Sequence, residues 1–392
     1  MAFLLTNLKN RYTALRGFHT KRHFVIIESD DWGSIRMPSH EVFEKLQALG
    51  DHPEKDAFLS NDCLENCSDL ERLYNVLESV TDQSGHPAVI TANFAVANPD
   101  FDRIDIKTGS YEFELFTETY KRYYPNENVI SCVQNGMQRG LFFPQLHCRE
   151  HMNISRWMMD LKRGKRDTLI AFENHLIGIN ASFSENNPFG YMDAFNSNYS
   201  TDEELRSILY DAMRIFEETF GRKSSTFVAS CYVWDDFLEK TLADLDVQGI
   251  QSACWQYVPL GRTPLRATQN SIIEKNNRLT RRIHFTGQKN TIGQLYSIRN
   301  CAYEPAYYQN AAECAALCFR QIHNALHDHK PAIISSHRFN YISSINPTNA
   351  ENNLEGLMWL LKKIVKEYPD IEFITTEQLF NVMEAGADRK LS

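Results

Sequence analysis

The run His23-Phe24-Val25-Ile26-Ile27-Glu28 is short and apolar, and it passes directly into Ser29-Asp30-Asp31-Trp32-Gly33. It reads as a buried strand whose end carries two carboxylates. Similar apolar runs recur at Pro87 to Ala92, Leu141 to Leu146, Ser225 to Ala229, Pro331 to Ser336 and Ile371 to Thr375. Between them lie stretches with helical periodicity: Ser39 to Leu49, Asp69 to Val80, Tyr111 to Arg122, Ile154 to Leu161, Asp202 to Phe220, Asp235 to Leu245, Glu313 to His327, Asn349 to Glu367 and Glu377 to Met383. Strand and helix alternate, which predicts an α/β fold built on parallel strands.

At 392 residues and 43% hydrophobic, the chain can bury a large core, and with no repeat or linker it is expected to form one body with insertions. Its net charge of -9 gives no global electrostatic reason to bind nucleic acid, because polyphosphate demands concentrated Lys and Arg, and no nucleic-acid partner is expected. Nine cysteines at scattered positions, with no secretory hydrophobic region at the start, predict reduced thiols and a cytoplasmic location. Cys63/Cys67 and Cys314/Cys318 repeat a four-residue step expected of small buried residues on helices. No run reaches the roughly 18 apolar residues of a membrane span.

Residues 1–23 carry Lys9, Arg11, Arg16, Lys21 and Arg22 with Leu4, Leu5, Leu8, Tyr12 and Leu15 at helical spacing. They form an expected amphipathic leader, either packed on the domain or resting peripherally on anionic lipid. The main domain is expected over residues 24–386, with a polar, basic insertion near 259–284 and a tail at 387–392. Oligomeric state is left open.

Polar groups at the carboxyl ends of parallel strands converge on one rim. One strand end offers Asp30 and Asp31, another offers His147-Cys148-Arg149-Glu150-His151, and a late one, Ala332-Ile333-Ile334-Ser335-Ser336, delivers His337. Two imidazoles four residues apart and one carboxylate suit Zn²⁺, with Ni²⁺, Co²⁺ or Mn²⁺ as alternatives, and leave positions for water and substrate. Such a metal would lower the pKa of bound water and polarise a carbonyl, a second carboxylate would take the proton, and a separate acid would protonate the departing group. Asp30 and His337 fit those two jobs. His323 and His327 share the same spacing near a helix end, where a structural reading suffices.

On these residues the sequence resembles the NodB-type polysaccharide deacetylases, within the glycoside hydrolase/deacetylase barrels. Ser29-Asp30-Asp31-Trp32-Gly33 resembles that family's first motif, which implies Asp30 as general base and Asp31 as metal ligand. His147 and His151 resemble the paired metal histidines of the second motif, and Ile334-Ser335-Ser336-His337 the late strand whose His is the general acid. More narrowly, Glu28 to Ser39, Pro144 to His151 and Ser335-Ser336-His337-Arg338 resemble a divergent subgroup described as polysaccharide (de)acetylases.

The resemblance runs from about Phe24 to Leu379 and implies a single (β/α) barrel, irregular, seven-stranded and TIM-like, with insertions. Two of the family's features are missing. Phe227 to Trp234 keeps an aromatic but lacks the third-motif Arg, so Arg36, Arg149, Arg299 and Arg338 are all open as the residue that steadies the base. No equivalent of the fourth motif's Asp-Trp is evident. For substrate, Trp32, Tyr232, Trp234 and Tyr341 are candidate sugar-ring contacts, with Arg149, Arg299 and Arg338 as polar ones.

The expected activity is metal-dependent removal of acetyl groups, N-acetyl before O-acetyl, from a carbohydrate or polysaccharide intermediate. Two other readings compete: a glycosidase on a related barrel, using two carboxylates and no obligatory ion, and a non-catalytic carbohydrate-binding barrel.

Overall fold

Alternation within the first strand sorts its side chains onto two faces. In β1 (His23–Trp32), Val25 and Ile27 enter the main core beneath the helices. Phe24 and Ile26 instead meet Ile333, Ile374, Leu379 and Val382 in a separate cluster, and Glu28 and Asp30 continue that inner face. The computed structural model describes residues 16–184, 188–260, 279–308 and 310–386.

Around β1 stand β2 (Ile90–Ala95), β3 (Phe142–Cys148), β4 (Thr226–Val228), β5 (Gly249–Ser252), β6 (Leu295–Ile298, resumed at Cys301–Ala302) and β7 (Ala332–His337). Every neighbouring pair is parallel. β6 closes the ring. Its first part pairs with β5 and its second with β7, while between them Arg299 N donates to Ser252 O and Asn300 N to Ile333 O. With β6 counted once, seven parallel strands follow one another in chain order around an irregular (β/α) barrel. A short β8 (Ile371–Phe373) pairs with the start of β1. Beneath it all, Leu379 and Val382 of the final helix (Thr376–Ala385) pack on Phe24 and Ile26 and plug the bottom.

All nine expected helices are present, with shifted ends in most. Helix Asp202–Phe220 keeps its expected ends, because Thr201 and Glu204 form a reciprocal capping box at its start and Gly221 ends it in the left-handed conformation at φ 72°. Helices Ala57–Asn61, Val129–Gln138, Arg166–Glu173 and Pro305–Tyr308 are additional.

In the region expected as an insertion near 259–284, Trp255–Pro259 and Leu279–Ile283 pair as an antiparallel ribbon off the barrel. Residues 261–278 between them, the amphipathic run within residues 1–15 and the tail 387–392 lie outside the described residues. Among the described residues, no helix is long and apolar enough to cross a membrane.

The expectation of reduced thiols needs correction at one pair. Cys67 and Cys132 are disulfide-bonded, joining helices Cys67–Glu78 and Val129–Gln138. Cys67 is the first residue of its helix, after the Asn66 cap, so it does not share a buried helical face with Cys63. Cys314 and Cys318 do lie buried on one helix.

Candidate active site

Adjacent residues of a strand normally point to opposite faces, yet Asp30 and Asp31 both line one cavity of about 320 Å³ at the carboxyl end of the barrel. The backbone explains this. Asp31 adopts φ 75°, a left-handed conformation costly for a non-glycine residue and typical of functional sites. Gly33 follows at φ 77°, where an added Cβ would lie 2.5 Å from Ala95 O. The Asp-Asp-Trp-Gly turn is thus pressed against the end of β2, and Gly33 N donates to buried Glu65 at 2.9 Å.

Asp31 Oδ1 lies 3.1 Å from His151 Nε2 and 3.5 Å from His147 Nε2. These three buried groups can offer ligand atoms within 4.8 Å of one another. His147 Nδ1 sits 2.7 Å from Val228 O. A carbonyl only accepts, so Nδ1 carries a proton, and Nε2 is the nitrogen turned toward the carboxylate. Both Nε2 atoms and Asp31 Oδ1 thus converge on one point, an arrangement that suits a shared cation.

Burial lowers the His151 pKa to about 4 despite the Asp31 charge, which leaves its imidazole neutral at pH 7, as a ligand must be. His151 Nδ1 has no hydrogen-bond partner. Asp31 is held well below the usual carboxylate range: its burial is overcome by His151, Arg36 and hydrogen bonds from both imidazoles. Arg36 Nη2 donates to Asp31 Oδ2 at 3.0 Å, leaving Oδ1 to the histidines. The residues present therefore fit a divalent ion held by Asp31, His147 and His151.

Asp30 stands beside this cluster and is gripped by Arg299, Nη1 to Oδ2 at 2.6 Å and Nη2 to Oδ1 at 2.7 Å. Burial alone would raise its pKa, but the Arg299 charge and its hydrogen bonds prevail and keep the group ionised. Asn93 adds a donor to Oδ1 at 2.7 Å. Below, the fully buried Glu28 accepts from Arg299 Nε at 2.7 Å and from Thr376 at 2.8 Å. Of the four arginines left open by the sequence, Arg299 is the one on Asp30. It enters from the bend that closes the barrel.

His337 is the register partner of Asp30 across β1 and β7, with Nε2 4.0 Å from Asp30 Oδ2. Its Nδ1 meets Glu304 Oε1 at 2.6 Å. Burial opposes a charged ring, yet Glu304 with the two aspartates raises the pKa to about 9, so His337 is a cation at neutral pH.

Tyr232 lines the cavity and accepts from Arg299 Nη1 at 3.1 Å. The other six expected substrate contacts do not line it. Trp32 is buried on Phe94 and Phe142, its indole donating to Ser29, because the turn at Asp31 rotates it into the core. Arg149 binds Glu150 and Asp211 on the outer side of the barrel wall. Arg338, wholly buried, bonds Asp62 and Glu65. Trp234 and Tyr341 are core residues as well. Arg299 touches the cavity only through Asp30 and Tyr232. Sequence reasoning did not single out Glu304 or Asn93. Glu304 follows β6 closely, and only recognition of that strand would have raised it.

No family model and no curated protein matches this chain. Among solved structures it is similar to a Mycobacterium smegmatis protein assigned as a polysaccharide deacetylase (10% identity, 96% of this chain and 98% of that one, TM-score 0.42). A Pseudomonas aeruginosa PAO1 protein with the same assignment matches at 8% identity, 95% and 93% coverage and TM-score 0.47. Peptidoglycan deacetylase PdaC from Bacillus subtilis matches at 9% identity, 93% of each chain and TM-score 0.39. At these values the chemistry has to be read from the chain's own side chains.

Proposed function

We propose that this chain is a metal-dependent hydrolase that removes acetyl groups from a carbohydrate, acting on N-acetyl before O-acetyl groups. One observation carries the reading: a cavity flanked by an Asp/His/His ligand set holds an ionised carboxylate and a protonated imidazole 4.0 Å apart. A divalent ion bound to Asp31, His147 and His151, with Zn²⁺ the first choice, supplies Lewis acidity there, lowering the pKa of a water and polarising an acyl oxygen. Asp30, kept ionised by Arg299, takes a proton as water attacks the acetyl carbon. His337, kept charged by Glu304, gives a proton to the amine nitrogen as the C–N bond breaks. Acetate and a free amino sugar leave.

The glycosidase reading has less support. It needs one carboxyl held protonated and another facing it across the sugar, whereas Asp30 and Asp31 are neighbours and both are held ionised. Glu28 is sealed beneath Arg299. The deciding experiment follows acetate release from N-acetylglucosamine oligomers, with metal content measured in the same samples. Asp30→Asn should keep the metal and lose turnover, while Asp31→Asn or His147→Ala should lose both. Full turnover in Asp30→Asn, or glycosidic cleavage by metal-free protein, sinks the proposal. Fully metallated protein that binds saccharide without turnover marks the non-catalytic alternative.

A further inference from the structure

The left-handed backbone of Asp31 costs free energy, and such a residue persists only where its surroundings hold it. A closed circuit of buried groups does so. Arg36 Nη2 donates to Asp31 Oδ2 at 3.0 Å, and Arg36 Nε stands 3.6 Å from Asp62 Oδ2. Asp62 Oδ1 accepts from Arg338 Nε at 3.0 Å and from Nη2 at 2.8 Å. Arg338 Nη1 donates to Glu65 Oε2 at 2.7 Å, and Glu65 Oε1 accepts from Gly33 N at 2.9 Å. The circuit therefore starts and ends on one turn, at a proposed metal ligand and at the glycine two residues on. Asp62 and Glu65, both fully buried, come from the short segment between helices Ala57–Asn61 and Cys67–Glu78.

A covalent tether ends that segment. Only Asn66 separates Glu65 from Cys67, the first residue of its helix, and Cys67 is bonded to Cys132 across 65 positions of sequence. Further along, the same two helices are held independently of the bridge. Arg139 pairs with Glu71 at 3.0 Å and with Glu78 at 2.7 Å, and Gly136 leaves no room for a Cβ beside Tyr74. The bridge thus acts at the corner beside Glu65 and not on the helix pair as a whole. Polar contacts share that corner, from the Tyr124 hydroxyl to Leu64 O at 2.5 Å and from Cys67 N to Glu127 at 2.9 Å, and such hydrogen bonds have a small net worth in water. Both cysteines are half-buried, with Ser68 and Ser131 exposed beside them, so a small thiolate can reach the bond.

We propose that Glu65 and Asp62 are positioning residues for the metal-binding turn and that the Cys67–Cys132 bridge sets them in place, so that reducing the bridge weakens the metal site. The reductant is a dithiol. One of its sulfurs attacks the bridge as a thiolate and the S–S bond breaks; its second sulfur then closes the reagent into a cyclic disulfide, while Cys67 and Cys132 take up its two protons and two electrons and end as thiols. With the tether gone, the corner beside Glu65 relaxes and its grip on Gly33 N and Arg338 loosens. Asp31 then leaves the position in which it faces His147 and His151. This deepens the metal-dependent reading and rests on it for the ion, though not for the substrate.

The test measures the Zn²⁺ affinity of the full-length chain by competition with a chromogenic chelator, and amide exchange of residues 31–37 in the metal-free chain by mass spectrometry. Oxidised chain is compared with chain reduced by dithiothreitol and desalted anaerobically, and with Cys67→Ser/Cys132→Ser, which cannot take up zinc through freed thiols. Breaking the bridge either way should weaken Zn²⁺ binding by about tenfold, the lower end of what groups behind a metal ligand are worth, and should speed exchange across the turn. Glu65→Gln with the bridge intact should do the same, and breaking the bridge in Glu65→Gln should add little, because coupled sites are not additive. Arg139→Gln loosens the far end of the same helix pair and should leave zinc affinity unchanged, which separates positioning from a general loss of stability, followed as melting temperature in every sample. Equal affinity and equal exchange with and without the bridge overturn the inference, as does full additivity with Glu65→Gln or an equal loss in Arg139→Gln. Faster exchange in a chain that binds no zinc in any state upholds the clamp and overturns the metal reading; tight zinc binding indifferent to the bridge does the reverse.

Discussion

Arg299 meets Asp30 fork to fork at 2.6 and 2.7 Å, and Glu28 holds the back of the same guanidinium at 2.7 Å. Three buried ionisable groups are thus stacked along the barrel axis. The arginine satisfies both carboxylates and fixes the upper one in its ionised form.

Replacing Arg299 by Gln should therefore act on the base rather than on the metal. Burial then dominates Asp30 and its pKa rises, so the ionised form that was present through the acidic range is lost as pH falls toward neutrality. The kcat at pH 7 should fall by about 10²–10⁴-fold, the scale of a positioned general base. The acidic limb of the pH profile should move upward while metal content, read by plasma mass spectrometry, stays at the wild-type value. Loss of metal in Arg299→Gln would contradict this assignment.

On the proposed mechanism the opposite limb belongs to His337. Its pKa is raised to about 9, so the acid form is complete at neutral pH and disappears as pH rises through that value. Glu304→Gln removes the charge that overcomes burial, and the alkaline limb of kcat should shift to lower pH with KM little changed. An unshifted limb would assign the alkaline ionisation to another group.

These two dyads also mark what the sequence could and could not convey. Asp31, His147, His151, Asp30 and His337 follow apolar runs, and hydrophobic patterning made their strand ends visible. β5 and β6 were opaque because their inward residues are Gln251, Ser297 and Arg299, buried polar groups bonded to Asn93, Thr226 and Glu28. Inward polar residues break the continuous apolar run by which a buried parallel strand is recognised. Trp32 misled for a different reason: a single left-handed residue, Asp31, reverses the face on which its successor emerges, and nothing in composition announces that.

Metal binding should be visible as stability. Asp31, His147 and His151 bring their ligand atoms within 4.8 Å of one another only in the folded chain, so an ion bound there adds RT ln(1 + [L]/Kd). Zn²⁺ added to chelated protein at a hundredfold excess over Kd should contribute about 2.7 kcal/mol and raise the melting temperature. His151→Ala should abolish most of that rise. An equal rise in His151→Ala would place the ion elsewhere.

Arg338 offers the sharpest separation of a structural from a substrate role. Its guanidinium is 0% exposed and bonds Asp62 at 2.8 and 3.0 Å and Glu65 at 2.7 Å, and Glu65 in turn receives Gly33 N and the Tyr120 hydroxyl. Arg338→Met keeps most of the volume but strands two buried carboxylates, a change worth roughly 3–5 kcal/mol of folding stability. Asp62 is already pushed up to about 6 by burial, against the pull of Arg338 and Arg36, and without Arg338 it rises further. A carboxyl with a raised folded-state pKa binds more protons folded than unfolded, so its destabilising effect grows as pH rises. The deficit of Arg338→Met in urea unfolding should accordingly be larger at pH 8 than at pH 5. Protein that remains folded should show an unchanged KM, because Arg338 does not line the cavity. A raised KM with unaltered unfolding would return Arg338 to the substrate.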